Sequence, residues 1–259
     1  MNTTITAVLA VKNEAAIIEN ALQNLQWVDE IIIIDNGSTD TTKKIAKKYT
    51  KKVYAVNKPL LIPELQQKGI GKTTADWVIV LDADVLVPKE AQKEILEKIT
   101  DSSVDGYYLR HKNYFLGKPL ECHFGEHKIL KLFRNGKAEF EGKHAHEAIM
   151  FTGRDIGTIE NFLIHNAHPS ISVFLRKANL YSSQDAKKLA KGEKAGIAKR
   201  GMVDPGFYEF IISPVLYFLN FYLRRGAYKD GLRGLILSVL FSYYIFLETA
   251  KVFEIKNVN

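Results

Sequence analysis

Asp82 and Asp84, separated only by Ala83, stand at the end of the apolar run Trp77-Val78-Ile79-Val80-Leu81. Such a run reads as a buried strand that ends where its chain meets solvent. Residues i and i+2 of an extended chain share a side, so both carboxylates face one ligand. Acidic oxygens at the carboxyl end of an α/β strand suit a divalent cation carrying a phosphorylated substrate. The clusters Asn13-Glu14 and Asp35-Asn36 follow apolar runs in the same way. Capping accounts for each cluster singly. Along one shared sheet edge they read better as a nucleotide site, with Asp35-Asn36 pairing to a base edge or ribose and a metal at Asp82-Asp84 neutralising a diphosphate.

The elements that must position these groups alternate. Ile5 to Val11 reads as a strand, and Lys12-Asn13-Glu14 opens a helix with Asn13 as N-cap and Ile17, Ile18, Ala21, Leu22 and Leu25 on one face. Ile31 to Ile34 is a fully buried second strand, and Asp35 to Thr42 both turns the chain and caps the next helix. Lys52 to Val56 supplies a third strand, Glu64 to Gly71 a helix, and Lys89 to Ile99 another. Strand and helix in turn with short loops predict an α/β fold with a mainly parallel, doubly wound sheet. Gly69-Ile70-Gly71-Lys72-Thr73-Thr74 looks like the end of a phosphate-binding loop, but the position of its first glycine is Gln66 and no strand immediately precedes it. No Gly-x-Gly-x-x-Gly follows the first strand, which argues against a dinucleotide-dependent dehydrogenase.

Composition narrows the class further. The 259 residues are 46% apolar and 25% charged, which is globular composition and excludes a disordered or low-complexity chain. The single Cys122 excludes an intrachain disulfide framework and a cysteine zinc site, and makes a reducing cytosolic compartment the simplest expectation. Met1 to Ala10 has no basic segment ahead of a long apolar core, so it reads as the first strand rather than a signal peptide. The net charge of +7 favours anionic partners. Helical spacing of Lys43, Lys44, Lys47 and Lys48 makes them a solvated face, and no nucleic-acid motif is present, so nucleic acid is not an expected partner.

Val11-Lys12-Asn13-Glu14, Ile34 to Asp40 and Leu81-Asp82-Ala83-Asp84 occur in the order and at roughly the spacing of family 2 inverting glycosyltransferases, which the chain resembles. The resemblance implies a GT-A nucleotide-sugar-binding fold, Rossmann-like and mainly parallel, with a mixed acceptor-side half. It implies Asn13, Glu14, Asp35, Asn36 and Asp82 at a nucleotide sugar, with UDP-hexose as donor. Asp82 and Asp84 would hold a divalent metal ion, Mn²⁺ or Mg²⁺. Members often carry two successive aspartates where this chain has Asp35-Asn36, which moves the weight of base recognition onto Asp35.

Beyond residue 100 the pattern becomes antiparallel or mixed, with an aromatic strand from Asp105, a turn at Phe115 to Pro119 and a strand from Lys128 to Phe133. In the resemblance this half binds the acceptor. Polar side chains crowd Phe140 to Glu147, and an inverting transferase needs an Asp, Glu or His beside the acceptor hydroxyl. His144 and His146, with no cysteine nearby, fall short of a structural zinc site. Leu130 to Arg134 followed by His146-Glu147 resembles the branch that adds sugars to bacterial lipopolysaccharide core, and there Glu147 takes the base position. The Gln-x-x-Arg-Trp signature of processive members is absent, so transfer of a single sugar is expected. His165 closes the run Phe162-Leu163-Ile164 and is a candidate third metal ligand or diphosphate contact.

Residues 171–259 form a helical tail, set apart from a GT-A domain at 1–170 with a nucleotide-sugar half at 1–100 and an acceptor half at 101–170. Phe207 to Leu223 and Leu235 to Leu247 are apolar and aromatic, and neither makes a transmembrane span: the first contains Glu209 and Pro214, the second falls short of about twenty residues. The basic stretch between them, with Arg224, Arg225, Lys229 and Arg233, suits an anionic inner-leaflet membrane surface. Lys229 to Gly234 extends the lipopolysaccharide-core resemblance into this tail. The expected protein is a cytoplasmic, peripherally membrane-associated, metal-dependent transferase moving one hexose to a lipid-linked saccharide of the lipopolysaccharide inner core. A polyprenyl phosphate is the alternative acceptor, and a catalytically silent nucleotide-sugar or membrane-surface binding module the alternative class.

Overall fold

Ile5–Val11 forms β1, and its side chains divide between two cores as alternation requires. Ile5, Ala7, Leu9 and Val11 join one cluster, Val8 the other. The computed structural model describes residues 3–141, 148–198, 200–201 and 204–258. The chain divides into two compact units, Met1–Lys112 with His127–His165, and Asn113–Glu126 with Asn166–Asn259.

In the first unit β1 is followed by α1 (Ile18–Asn24), β2 (Glu30–Asp35), α2 (Thr42–Ala46), β3 (Val53–Ala55), α3 (Ile62–Ile70), β4 (Trp77–Leu81), β5 (Val85–Leu86) and α4 (Lys89–Lys98). Next come β6 (Gly106–Phe115), which runs on into the second unit, as does β11 below, and β7 (Lys118–Pro119), which lies wholly in that unit. β8 (Glu126–Arg134), β9 (Ala138–Glu141), β10 (Ala148–Phe151) and β11 (Ile156–His168) complete the strands. The sheet order is β3-β2-β1-β4-β8-β6-β11-β5. β1 runs parallel to β2 and β4, and β2 to β3, whereas β8 is antiparallel to β4 and β5 to β11. The expected α/β fold is what the chain forms, its main sheet parallel through β3-β2-β1-β4 and mixed as a whole. α1, α2 and α4 contribute to the cluster of Ile5 and Leu9, and α3 to that of Val8, so helices cover both faces.

Several local expectations are corrected. The first helix begins at Ile18, not at Asn13, because Asn13 adopts a left-handed φ of 55° that an N-cap does not use. α3 starts at Ile62, with Pro63 in its first turn. Gly69 lies in that helix, where an added Cβ would sit 2.3 Å from Val8 Cγ1. Close packing of helix on strand therefore explains this glycine, and no phosphate loop is built around it.

The second unit is helical: α5 (Ile171–Ala190), α6 (Ser213–Leu219) between the π-helical turns Tyr208–Ile212 and Asn220–Arg224, and α7 (Gly231–Asn257). Phe174 and Ala178 of α5 meet Phe221, Leu237, Phe241 and Tyr244 in one core that also buries Cys122. This lone thiol is packing, and burial raises its pKa. The expectation that the last apolar run is too short to span is corrected, since Ala227–Asn257 is long and apolar enough to cross a membrane, with 44% of its most apolar window buried inside the protein.

Lys229 to Gly234 has a structural task. Asp230 accepts hydrogen bonds from the backbone N–H groups of Glu121 (2.9 Å) and Cys122 (3.2 Å). Arg233 donates to the carbonyls of Phe115, Lys118 and Pro119, so it belongs to this clasp rather than to an open basic patch. A Cβ on Gly234 would fall 1.7 Å from the Ala227 carbonyl oxygen. Gly234→Ala is expected to cost roughly 1–3 kcal/mol, because backbone cannot give way as a flexible side chain does. Urea denaturation followed by circular dichroism measures it, and an unchanged midpoint would contradict the tight approach.

Candidate active site

The loops after β1 and β2 are stitched to each other by side chains. Asn13 Oδ1 accepts from the Thr39 amide at 2.8 Å, and the Asn13 amide donates to Ser38 Oγ at 2.9 Å. The Glu14 amide donates to Thr42 Oγ1 at 2.8 Å, and Ala15 N–H to Asp40 Oδ2 at 3.2 Å. Asparagine tolerates the left-handed backbone this arrangement demands better than most residues. Asn13 and Glu14 thus build the edge that the strand ends share.

Asp35 ends β2 opposite Val11 of β1 and is fully buried. Its Oδ2 accepts from the amides of Gly37 (3.2 Å) and Ser38 (3.1 Å), with Lys43 Nζ at 3.8 Å. Its Oδ1 is buried without a hydrogen-bond partner among the described residues. Such an acceptor costs about 1–3 kcal/mol while unpaired. Asn36 uses both ends of its carboxamide on one residue, donating to the Leu60 carbonyl and accepting from the Leu60 amide, each at 3.0 Å. An aspartate there would have no donor for that carbonyl, which is a physical reason for asparagine after Asp35.

The chain does not stay extended through Asp82-Ala83-Asp84; it turns there, and Val85 N–H donates to the Asp82 carbonyl at 3.1 Å. The two carboxylates consequently meet different partners. Asp82 lies 3.2 Å from Lys131 Nζ, whose side chain on β8 is only 3% exposed. Asp84 lies 3.6 Å from His165 Nε2. The pairing of β5 with β11, which sets His165 opposite Val85, accounts for that approach.

Sequence reasoning missed two more imidazoles. The neighbouring strands β8, β6 and β11 carry His127, His111 and His165, and their candidate ligand nitrogens all lie within 4.8 Å of one another. His111 Nδ1 is 3.0 Å from His127 Nε2. Burial, then the neighbouring His127, His165 and Lys131, pushes the His111 pKa down to about 3. Desolvation, with His165 and Lys131, pushes His127 down to about 4. Both imidazoles are therefore neutral near pH 7. The available signal was alternation along β6, where His111 holds the same buried register as Tyr107 and Leu109.

A divalent cation fits this donor set. Ligand atoms about 2.0–2.2 Å from one ion stand about 3–3.6 Å apart, the separation found for Asp84 and His165. Glu147, with His144 and His146, lies outside the described residues. The adjoining strands β9 and β10 pair antiparallel, with Glu141 opposite Ala148.

Polar groups at the carboxyl ends of β1, β2 and β4 are where open α/β sheets bind ligands. The model of the family described as Glycosyl transferase family 2 matches residues 6–179. The chain belongs to that family. This transferase is 26% identical over 250 residues to the lipopolysaccharide core biosynthesis glycosyltransferase LpsC of Rhizobium meliloti (strain 1021), covering 93% of its own length and 89% of the relative. An uncharacterized glycosyltransferase of Rickettsia typhi (strain ATCC VR-144 / Wilmington) is 30% identical over 270 residues, covering 97% and 87%. Among solved structures, the mannosyltransferase PcManGT from Pyrobaculum calidifontis, in complex with GDP-Man and Mn²⁺, matches with a TM-score of 0.54 at 15% identity, over 99% of this chain and 89% of that one. The likeness in fold agrees with the GT-A architecture, and family membership makes the protein a nucleotide-sugar glycosyltransferase.

Proposed function

We propose that this transferase is metal-dependent and inverting, and that it moves one hexose from UDP-hexose to a lipid-linked saccharide of the lipopolysaccharide inner core. The observation that carries the donor half of this reading is the meeting of Asp84 and His165 beside the end of β4. When bound there, a divalent cation supplies electrostatic stabilisation of the leaving diphosphate. Asp84 and His165 would hold it, and Asp82, on the same turn and paired with Lys131, would join them on moving from that partner. Asp35, fully buried, holds the Gly37 and Ser38 amides and so would shape the loop against which a uracil base lies. Its buried Oδ1 would become available to the base N–H only if that loop shifts. Lys131, held by Asp82, adds positive charge beside the diphosphate position. Glu147 would take the proton of the acceptor hydroxyl as it attacks. The acceptor assignment rests on the similarity to LpsC, whose name states its role.

The deciding experiment pairs two measurements. Thermal shift with UDP-glucose and GDP-mannose, each with Mn²⁺ or Mg²⁺, reads donor choice through ligand-linked stability. Release of nucleoside diphosphate on adding lipid-linked saccharide reads transfer. Donor-induced stabilisation without any such release would sink the acceptor assignment and leave a binding module.

The second unit supports a cytoplasmic location at the inner membrane surface. Ile211, Val215, Leu219 and Leu223 are exposed, and Arg224 and Lys229 are exposed beside them in sequence. A basic residue near an anionic surface contributes about 1 kcal/mol. Full-length protein is therefore expected to co-sediment with anionic vesicles at low salt, and Arg224→Glu combined with Lys229→Glu to weaken that binding by at least about tenfold. Equal sedimentation of wild type with neutral and anionic vesicles would remove the electrostatic part of this reading.

A further inference from the structure

We infer that His111, His127 and His165 form a transition-metal site, with Asp84 at its edge, that binds an ion such as Zn²⁺ or Mn²⁺ in preference to Mg²⁺ and does so without any nucleotide. The inference deepens the proposed donor-site reading and rests on it for the role of the ion, though not for its binding.

Three rings from three neighbouring strands converge here, with centroid separations of 4.8 Å for His111 and His127 and 5.8 Å for each of the other pairs. Nitrogens of His111 and His127 are 3.0 Å apart, close to the roughly 3.3 Å edge of a tetrahedron drawn by zinc–nitrogen bonds of about 2.0–2.1 Å. The atoms that approach are His111 Nδ1 and His127 Nε2, and one neutral ring donates to the other or both offer a lone pair to an ion between them. His111 is 3% exposed, so water is poorly placed to serve it. Two ring nitrogens this close need a proton or an ion between them.

The donor chemistry narrows what that is. Imidazole nitrogen suits zinc, copper, iron and nickel, Mn²⁺ leans more on carboxylate oxygen, and Mg²⁺ demands oxygen ligands and keeps its waters. Three imidazoles with one carboxylate match the ligand count of a zinc-type site, and Asp84 lies 3.6 Å from His165. Lys131, whose charge acts on His111 and His127, is paired to Asp82 at 3.2 Å, which reduces its repulsion of a cation. Because His165 and Asp84 are also the donor-site pair, the ion reaches the diphosphate position while the other imidazoles anchor it from behind. Metal affinity would then reside in the protein and not depend on the nucleotide.

The test uses tag-free, chelator-stripped full-length protein with no nucleotide present. Equilibrium dialysis against Zn²⁺, Mn²⁺ or Mg²⁺ is expected to give near-stoichiometric Zn²⁺, weaker Mn²⁺ and no retained Mg²⁺, and Co²⁺ is expected to give a visible ligand-field spectrum. His127 is exposed, so His127→Gln should fold, which thermal melting of the apo variant verifies, and should weaken Zn²⁺ binding by at least about tenfold. His111→Gln should do the same, with His127→Gln as the safeguard should the buried change unfold the chain. Wild type that retains no Zn²⁺, or a folded His127→Gln that binds it as wild type does, overturns the inference. Donor binding measured separately with saturating Mn²⁺ decides the donor-site reading, so either idea can fail while the other stands.

Discussion

Glu147→Gln is expected to lower turnover by roughly 10²–10⁴ while leaving donor affinity near that of wild type. Glutamine keeps the size and hydrogen-bonding reach of the side chain but cannot accept the acceptor's proton. The measurement is single-turnover release of nucleoside diphosphate beside equilibrium binding of the donor. Loss of both would make Glu147 structural. A variant that transfers at close to the native rate would exclude it and direct the same substitution to Asp155 or His146. It would also favour a polyprenyl phosphate acceptor, which already carries an anionic nucleophile and needs no protein base.

Asp84→Asn should also be strongly damaging, for a different reason. The carboxylate stands 3.6 Å from His165 and is 16% exposed, so on the proposed reading its loss would remove a charged metal ligand from a partly enclosed site. Transition-state stabilisation by an electrostatic group of this kind is worth roughly 10²–10³ in rate. Unlike the Glu147 change, this one should also weaken donor binding in Mn²⁺. Restoration of activity by excess metal would indicate weakened affinity alone, and full activity in chelator would end the metal-dependent reading.

The sheet edge was legible in the sequence because β1, β2 and β4 are apolar runs that end in polar residues. The start of the first helix was not. Asn13 looks like a cap, but its backbone N–H donates to Ser38 and its side-chain Oδ1 accepts from Thr39, partners set by the neighbouring strand end and invisible to local pattern. His111 and His127 were illegible for a related reason: their meeting depends on the order β8-β6-β11, which no spacing along the chain encodes. The last helix was read too short because Glu248 and Lys251 look like solvent-facing breaks. Glu248 is fully buried and paired with Arg200 at 2.8 Å, and Lys251 donates to Ser182 Oγ at 2.8 Å on α5. The role of Glu147 came from family resemblance, and testing it is a matter for kinetics.

Phe207, Ile211, Val215, Leu219 and Leu223 are all exposed and recur every fourth residue. On an ideal α-helix each such step overshoots one turn by about 40°, so across the set the stripe would wander about 160° around the helix. The π-helical turns Tyr208–Ile212 and Asn220–Arg224 each insert a wider loop of backbone, closed by i→i+5 bonds, which rolls the stripe back toward its starting azimuth. The side chains then hold a nearly straight line, and a flat counter-surface meets them together instead of one after another. Deleting a single residue from either turn would swing the far end of that line aside while leaving the composition of the helix almost untouched.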